Sequence, residues 1–218
     1  MYLKNKDLYI SIALVFFYSF FSLIVFLILR NGLNLMLAWN IFLAFLPFLF
    51  MKLYDSLKTK DKLYKTLLII FWLLFFPNTY YVITDFIYLN SQDFIIYSIQ
   101  YQYIMDFKGY LMLFQIFIGV IISLYFGLVS LLVLYKYIMT SKWKKYKNLI
   151  VIIISILTGL GIYIGRFFRY NSWDILKFWK IFQDLINSIN LFTLFFITMI
   201  SIIQLLIFFL YYNHKISK

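Results

Sequence analysis

Two arginines three residues apart, Arg166 and Arg169, open a polar run that continues through Asn171, Ser172 and Asp174. A guanidinium offers a planar fork of N–H donors that matches carboxylate and phosphate oxygens, so such a pair is suited to gripping an anion. On a continuing helix their spacing puts both on one face. Asp85 and Asp106 are carboxylates that can position the arginines or act on what they hold. Amides at Asn40 and Asn78 complete the candidate binding set of Asn40, Asn78, Asp85, Asp106, Arg166, Arg169, Asn171 and Asp174. Other chemistry has little to work with. The chain has no Cys, no Glu and one histidine, His214. No zinc or haem site is expected from that inventory, and no cofactor. It also lacks a phosphate-binding glycine loop, a nucleophile elbow and a serine–histidine pairing, so no catalytic residue is assigned.

The elements that must position these residues are set by composition. Of 218 residues, 65% are apolar and 13% charged, and the mean hydropathy is +0.91. Soluble domains carry about 45–50% apolar and about 25% charged residues. The chain is therefore expected to be an all-α, polytopic membrane helix bundle forming a single domain over 1–218. A disordered chain, a disulfide scaffold and a nucleic-acid partner are excluded. Six transmembrane helices are predicted, at 8–29, 33–53, 66–89, 109–134, 149–165 and 191–211, each near the roughly 20 residues a bilayer core requires. The first is too long for a signal-peptide core and reads as an uncleaved anchor. Pro77 removes one backbone donor inside the third, so a kink is predicted there.

The net charge is +12, and about 14 of the 20 Lys and Arg fall in segments that share one side if the N-terminus is cytoplasmic. This asymmetry predicts a multi-pass protein of the cell (inner) membrane with both termini in the cytoplasm. Its lysines orient the chain and touch membrane lipids. Arg30, Lys108, Arg166, Arg169, Lys177 and Lys180 fall on the outer side, against the general rule, which marks that face as informative.

Depth along the spans sharpens the expectation. Counting about 1.5 Å per residue from Lys65, Asp85 lies roughly 30 Å along the third span, at the outer edge of the hydrocarbon. Asp106 precedes the fourth span, so Asp85, Asp106, Asp174, Arg166 and Arg169 are expected at one level. Asn40, Asn78, Gln115, Thr158 and Thr198 lie about 10 Å deeper and are expected to face the bundle interior, because an unpaired amide in lipid is costly. The inner half is poorer in polar groups. The reading is an outward-open polar pocket over an apolar floor. Asp93, Tyr97 and Tyr101 belong to the same outer rim.

Polar residues at Asp174, Lys177, Lys180, Asp184 and Asn187 alternate at helical period with Trp173, Leu176, Trp179 and Phe182. An amphipathic helix on the outer surface over 173–187 is predicted, with Asn171 or Ser172 as N-cap and Asp174 in its first turn. Ser155-x-x-x-Gly159 and Gly161-x-x-x-Gly165 in the fifth span permit close helix approach.

Three blocks carry a family resemblance: Trp39-Asn40-Ile41-Phe42-Leu43-Ala44; Phe76-Pro77-Asn78 with Tyr81 and Thr84-Asp85; and Gly165-Arg166-Phe167-Phe168-Arg169-Tyr170-Asn171-Ser172-Trp173-Asp174. Together they resemble the bacterial integral-membrane family labelled domain of unknown function 1361. The resemblance implies a multi-pass inner-membrane protein and carries no activity with it. The family's motif often has a histidine where this chain has Tyr88, so acid–base chemistry resting on that histidine would be missing here.

Three readings follow. The first is binding or processing of an anionic envelope substrate, phosphate-bearing or lipid-linked. The second is a structural or assembly partner of a cell-envelope complex. The third is a small-solute transporter, for which inverted repeats and broken helices at mid-membrane are expected; the sequence offers one kinked helix and no convincing repeat. Ligand identity and oligomeric state stay open.

Overall fold

Inside a bilayer a backbone amide has no water to turn to, so apolar runs of this length fold as helices. The computed structural model describes residues 2–58, 61–90, 94–96 and 102–216. Six of its helical stretches are long and apolar enough to cross a membrane. They are α1 (Asn5–Leu29), α2 (Leu33–Ser56), a broken third span over Lys62–Tyr88, α5 (Phe107–Met139), α6 (Lys147–Phe167) and α8 (Leu191–Ile216). The third span consists of α3 (Lys62–Phe75), the single turn α4 (Asn78–Tyr81) and a 3₁₀ helix, Val82–Tyr88. A helical polytopic bundle was the expectation, and the structure bears it out. The one ladder among the described residues is a two-residue antiparallel pairing, Ile95 with Tyr103 and Ile96 with Gln102. Asp93, Tyr97 and Tyr101 lie outside the described residues.

Helix α2 is the central post and packs on α1, α3 and α5. Its Ile41, Ala44, Phe48 and Met51 are fully buried, spaced at helical period on one face. Phe45 meets Phe126 of α5 edge to face at 5.5 Å. Helix α6 packs chiefly on α8, and the pair reaches the rest of the bundle through α4 and α5. The α6–α8 seam uses the small-residue stripe. Gly159 lies so close to the Ile197 carbonyl oxygen that a Cβ would stand 2.6 Å from it. Because that atom is backbone, the helices would have to part. Gly159→Val is expected to cost about 1–3 kcal/mol through overpacking, read as a lowered midpoint in equilibrium unfolding.

Pro77 interrupts the hydrogen-bond ladder of the third span while the backbone stays right-handed helical through it. Phe76 N still donates to the Trp72 carbonyl at 2.8 Å, but beyond it Thr79 N turns to the Phe76 carbonyl at 3.1 Å and Tyr81 N to that of Pro77 at 2.9 Å. Side chains repair the gap: Asn78 Nδ2 donates to the Phe75 carbonyl at 2.9 Å, and Thr79 Oγ1 to that of Phe76 at 2.8 Å. The tighter 3₁₀ winding that follows, three residues per turn, eclipses Asp85 with Tyr88. By contrast, Pro47 sits buried inside α2 without ending it.

Past α6, Asn171 N donates to Asp174 Oδ2 at 2.9 Å, opening a 3₁₀ turn (Ser172–Lys177) that leads into α7 (Phe178–Ser188). This amphipathic helix buries no residue. Trp179 is 75% exposed, the surface expected of a helix lying at an interface.

The other end of the bundle holds a polar cluster the sequence reading did not anticipate. Lys52 and Asp55, three apart on α2, are both buried. Asp55 Oδ2 accepts from Tyr2 N at 2.5 Å and Leu3 N at 2.8 Å, and Oδ1 accepts from Tyr137 Oη at 2.7 Å. Lys52 Nζ donates to the Leu3 carbonyl at 2.6 Å. Lys52 is thus a tether for the chain's beginning as well as a topological charge.

Candidate functional site

The break at Pro77 and the 3₁₀ turn after it carry Asp85 into the protein, where it is fully buried. An ionised carboxylate there needs partners for both oxygens. Oδ1 accepts from Arg166 Nη2 of α6 at 2.6 Å, and Oδ2 accepts from Asn40 Nδ2 of α2 at 3.0 Å. Three further hydrogen bonds leave Arg166 with one Nη1 hydrogen unused. Nε donates to Thr84 Oγ1 at 2.9 Å, Nη2 also meets that hydroxyl, and Nη1 donates to Tyr88 Oη at 2.9 Å. Its guanidinium lies 4.1 Å from the centre of the Tyr81 ring, within cation–π range. One arginine therefore staples α2, the third span and α6 together.

Beside this staple opens a cavity of about 750 Å³, within the range of small-molecule sites. Arg169 lines it and differs from Arg166 in every respect. It is exposed, and it makes no hydrogen bond or ion pair to another described residue. Helix α6 ends at Phe167, and Arg169 stands two residues on in the left-handed region, φ 60°. That turn takes it off the face of Arg166, so the shared helical face expected of the two is not formed.

Other groups around the cavity offer protons. Ser172 Oγ accepts from Asn78 Nδ2 at 3.1 Å, leaving its own hydroxyl hydrogen available. Tyr88 Oη, engaged as an acceptor by Arg166, is in the same position. Tyr81 and Asn171 also line the space. Both carboxylate oxygens of Asp85 are occupied. The lining is thus rich in donors and carries one unpaired positive charge.

Six of the eight candidates, Asn40, Asn78, Asp85, Arg166, Arg169 and Asn171, come to the cavity or its staple. Asp106 and Asp174 do not. Asp106 caps α5, accepting from Lys108 N at 3.3 Å and Gly109 N at 2.8 Å. Asp174 pairs with Lys177 Nζ at 2.7 Å; that hydrogen bond, with the one from Asn171 N, holds its carboxyl below the usual carboxylate range. Asp184 instead accepts from Tyr170 Oη at 2.8 Å, which pushes that phenol up.

The deeper polar layer divides as well. Gln115 Nε2 donates to Ser22 Oγ at 3.0 Å on the α1 side, away from the cavity. Thr158 is buried, but Thr198 is exposed, contrary to its expected inward facing. Depth along a helix fixes height and leaves direction undetermined. Sequence reasoning left Thr84, Tyr81, Tyr88 and Ser172 out of the set. The signal for Tyr88 was its three-residue spacing from Asp85, which puts both on one face of an α-helix and eclipses them in a 3₁₀ turn.

Fold and site together define a helical membrane protein whose polar cavity is built at one end of a six-span bundle. The family described as "Protein of unknown function (DUF1361)" matches residues 39–207, and the chain belongs to it. No curated protein and no solved structure matches the chain. The matched region begins at Trp39 and contains every residue of the staple and of the cavity's polar rim.

Proposed function

We propose that this protein binds an anionic, phosphate-bearing ligand in the cavity, with Arg169 as its principal contact. The observation that carries the reading is an exposed arginine with no hydrogen bond or ion pair to another described residue, on a cavity wall otherwise supplied with hydroxyl and amide donors. Donors arriving from several elements suit a tetrahedral oxyanion, and charge-assisted hydrogen bonds are the strong kind. Arg166 and Asp85 are positioning residues in this reading, since each neutralises the other and most of the Arg166 donors are taken within the protein. The lysine asymmetry supports placing the cavity on the non-cytoplasmic face of a cell membrane, with both termini on the other side.

The test exploits the backbone at Arg169. Glycine adopts φ near +60° without the steric cost a side chain brings. Arg169→Gly is therefore expected to change stability by less than about 1 kcal/mol. It removes a charged donor worth about 1.5–3 kcal/mol, so inorganic phosphate should bind at least about tenfold more weakly by calorimetry on nanodisc-embedded protein. Arg169→Lys keeps the charge but loses the fork and should fall between. Unchanged phosphate affinity in Arg169→Gly would overturn the reading.

A further inference from the structure

The cavity is not polar throughout. Met36, Trp39 and Leu43 of α2 line it, and their spacing of three and four puts them on one helical stripe. From α2's start at Leu33, Leu43 lies roughly 15 Å into the bundle. Opposite them stand Leu74 of α3 and Gly161 and Ile164 of α6. Arg169 and Tyr88 stand toward the end of the bundle, while Asn40 and Asn78, the latter bonded to Ser172, line the lower section beside the apolar stripe. The lower section is thus mainly apolar with two amides on it.

That lower section also communicates with the outside of the bundle. Trp39 is 50% exposed and Met36 is 37% exposed, yet both line the cavity. Such exposure of lining residues means that the space is open beside α2 rather than enclosed. On this side α6 is carried by α8 and α4, and Gly161 approaches Pro77 so closely that a Cβ would stand 2.7 Å from its ring. The cleft between α2 and α6 lies above that contact point.

The geometry points to an amphiphile as the ligand: a phosphate monoester on a hydrocarbon chain, its head at Arg169 and its chain along Trp39, Leu43, Leu74 and Ile164. This rests on the anion-binding reading of the same cavity and adds the chain. The phosphate supplies what the rim lacks, acceptor oxygens and negative charge. The chain covers the apolar wall and lets the ligand arrive sideways from the membrane.

The test compares inorganic phosphate, hexyl phosphate, decyl phosphate, geranyl phosphate and hexanol by calorimetry on the full chain in phosphatidylcholine nanodiscs. Each buried methylene is worth a factor of about four. Hexyl phosphate should therefore bind at least tenfold more tightly than inorganic phosphate, and hexanol should not register. Ile164→Trp, which fills the chain section, should abolish the gain from the chain and leave inorganic phosphate binding in place. Arg169→Gly should weaken all the phosphates. Geranyl phosphate exceeding decyl phosphate, which has the same number of carbons, would assign the chain as isoprenoid; the reverse order would assign it as straight alkyl. Equal affinity for inorganic and hexyl phosphate would overturn the chain and spare the anion site. Failure of every phosphate to bind would overturn the anion-binding reading, and this inference with it.

Discussion

Asp85→Ala is expected to lower the free energy of unfolding by about 3–5 kcal/mol, because removing one partner of a buried pair strands the other's charge. The stranded group is Arg166, whose side chain is 8% exposed. Asn40 Nδ2 loses its acceptor at the same time. Three elements are joined at this point, so the loss should appear as a cooperative shift of the whole transition. Arg166→Met strands Asp85 instead, in a fully buried position, and should cost as much or more. The double substitution, Asp85→Leu with Arg166→Met, removes both charges and should recover most of the deficit, since a buried pair replaced by packed apolar groups is often neutral or better. The strong coupling in such a cycle is the signature. Unfolding of the four chains in mixed micelles measures it. Single substitutions that each cost under about 1 kcal/mol would show the pair to be well solvated, as surface pairs are.

How much of this was legible beforehand follows from what each inference used. The spans were legible because bilayer thickness imposes a length and hydropathy imposes a sign, and neither needs a neighbour. Asp85 was singled out by its depth at the outer edge of the hydrocarbon, and Arg166 as a base on the side that the lysine asymmetry disfavours. Their pairing was one of several arrangements the sequence allowed, because depth arithmetic yields no azimuth. Gln115 and Asn40 were placed at similar height and proved to serve different helices. Asp106 and Asp174 lie away from the cavity for another reason. An aspartate at a helix start satisfies the orphan amides of the first turn, and this local demand outweighed convergence on a distant site. The separate fates of Arg166 and Arg169 turned on a helix ending at Phe167, two residues past the predicted bound at Gly165 and between the two arginines.

At the opposite end of the bundle the same logic of burial gives a second large effect, at a place with no part in the cavity. Asp55 holds three donors at once: the amides of Tyr2 and Leu3 and the hydroxyl of Tyr137. Lys52 secures the Leu3 carbonyl, and the Leu3 side chain is buried beneath. Hydrogen bonds to a charged group contribute about 1.5–3 kcal/mol each, and those sharing one carboxylate do not add fully. Asp55→Ala should therefore cost about 2–4 kcal/mol. Most of that loss is local, because the residues it frees precede α1, whose own hydrogen-bond ladder from Asn5 onward is untouched. A thiol introduced by Leu3→Cys, at a position 4% exposed, reports the release. Its labelling rate by a water-soluble maleimide should rise at least tenfold when Asp55→Ala is added, with a smaller rise for Lys52→Met. Phosphate affinity should stay unchanged in both, since neither residue lines the cavity. Labelling no faster in Asp55→Ala would mean that burial of the side chain at this position alone holds the strap, and the carboxylate's three hydrogen bonds would then be incidental to it.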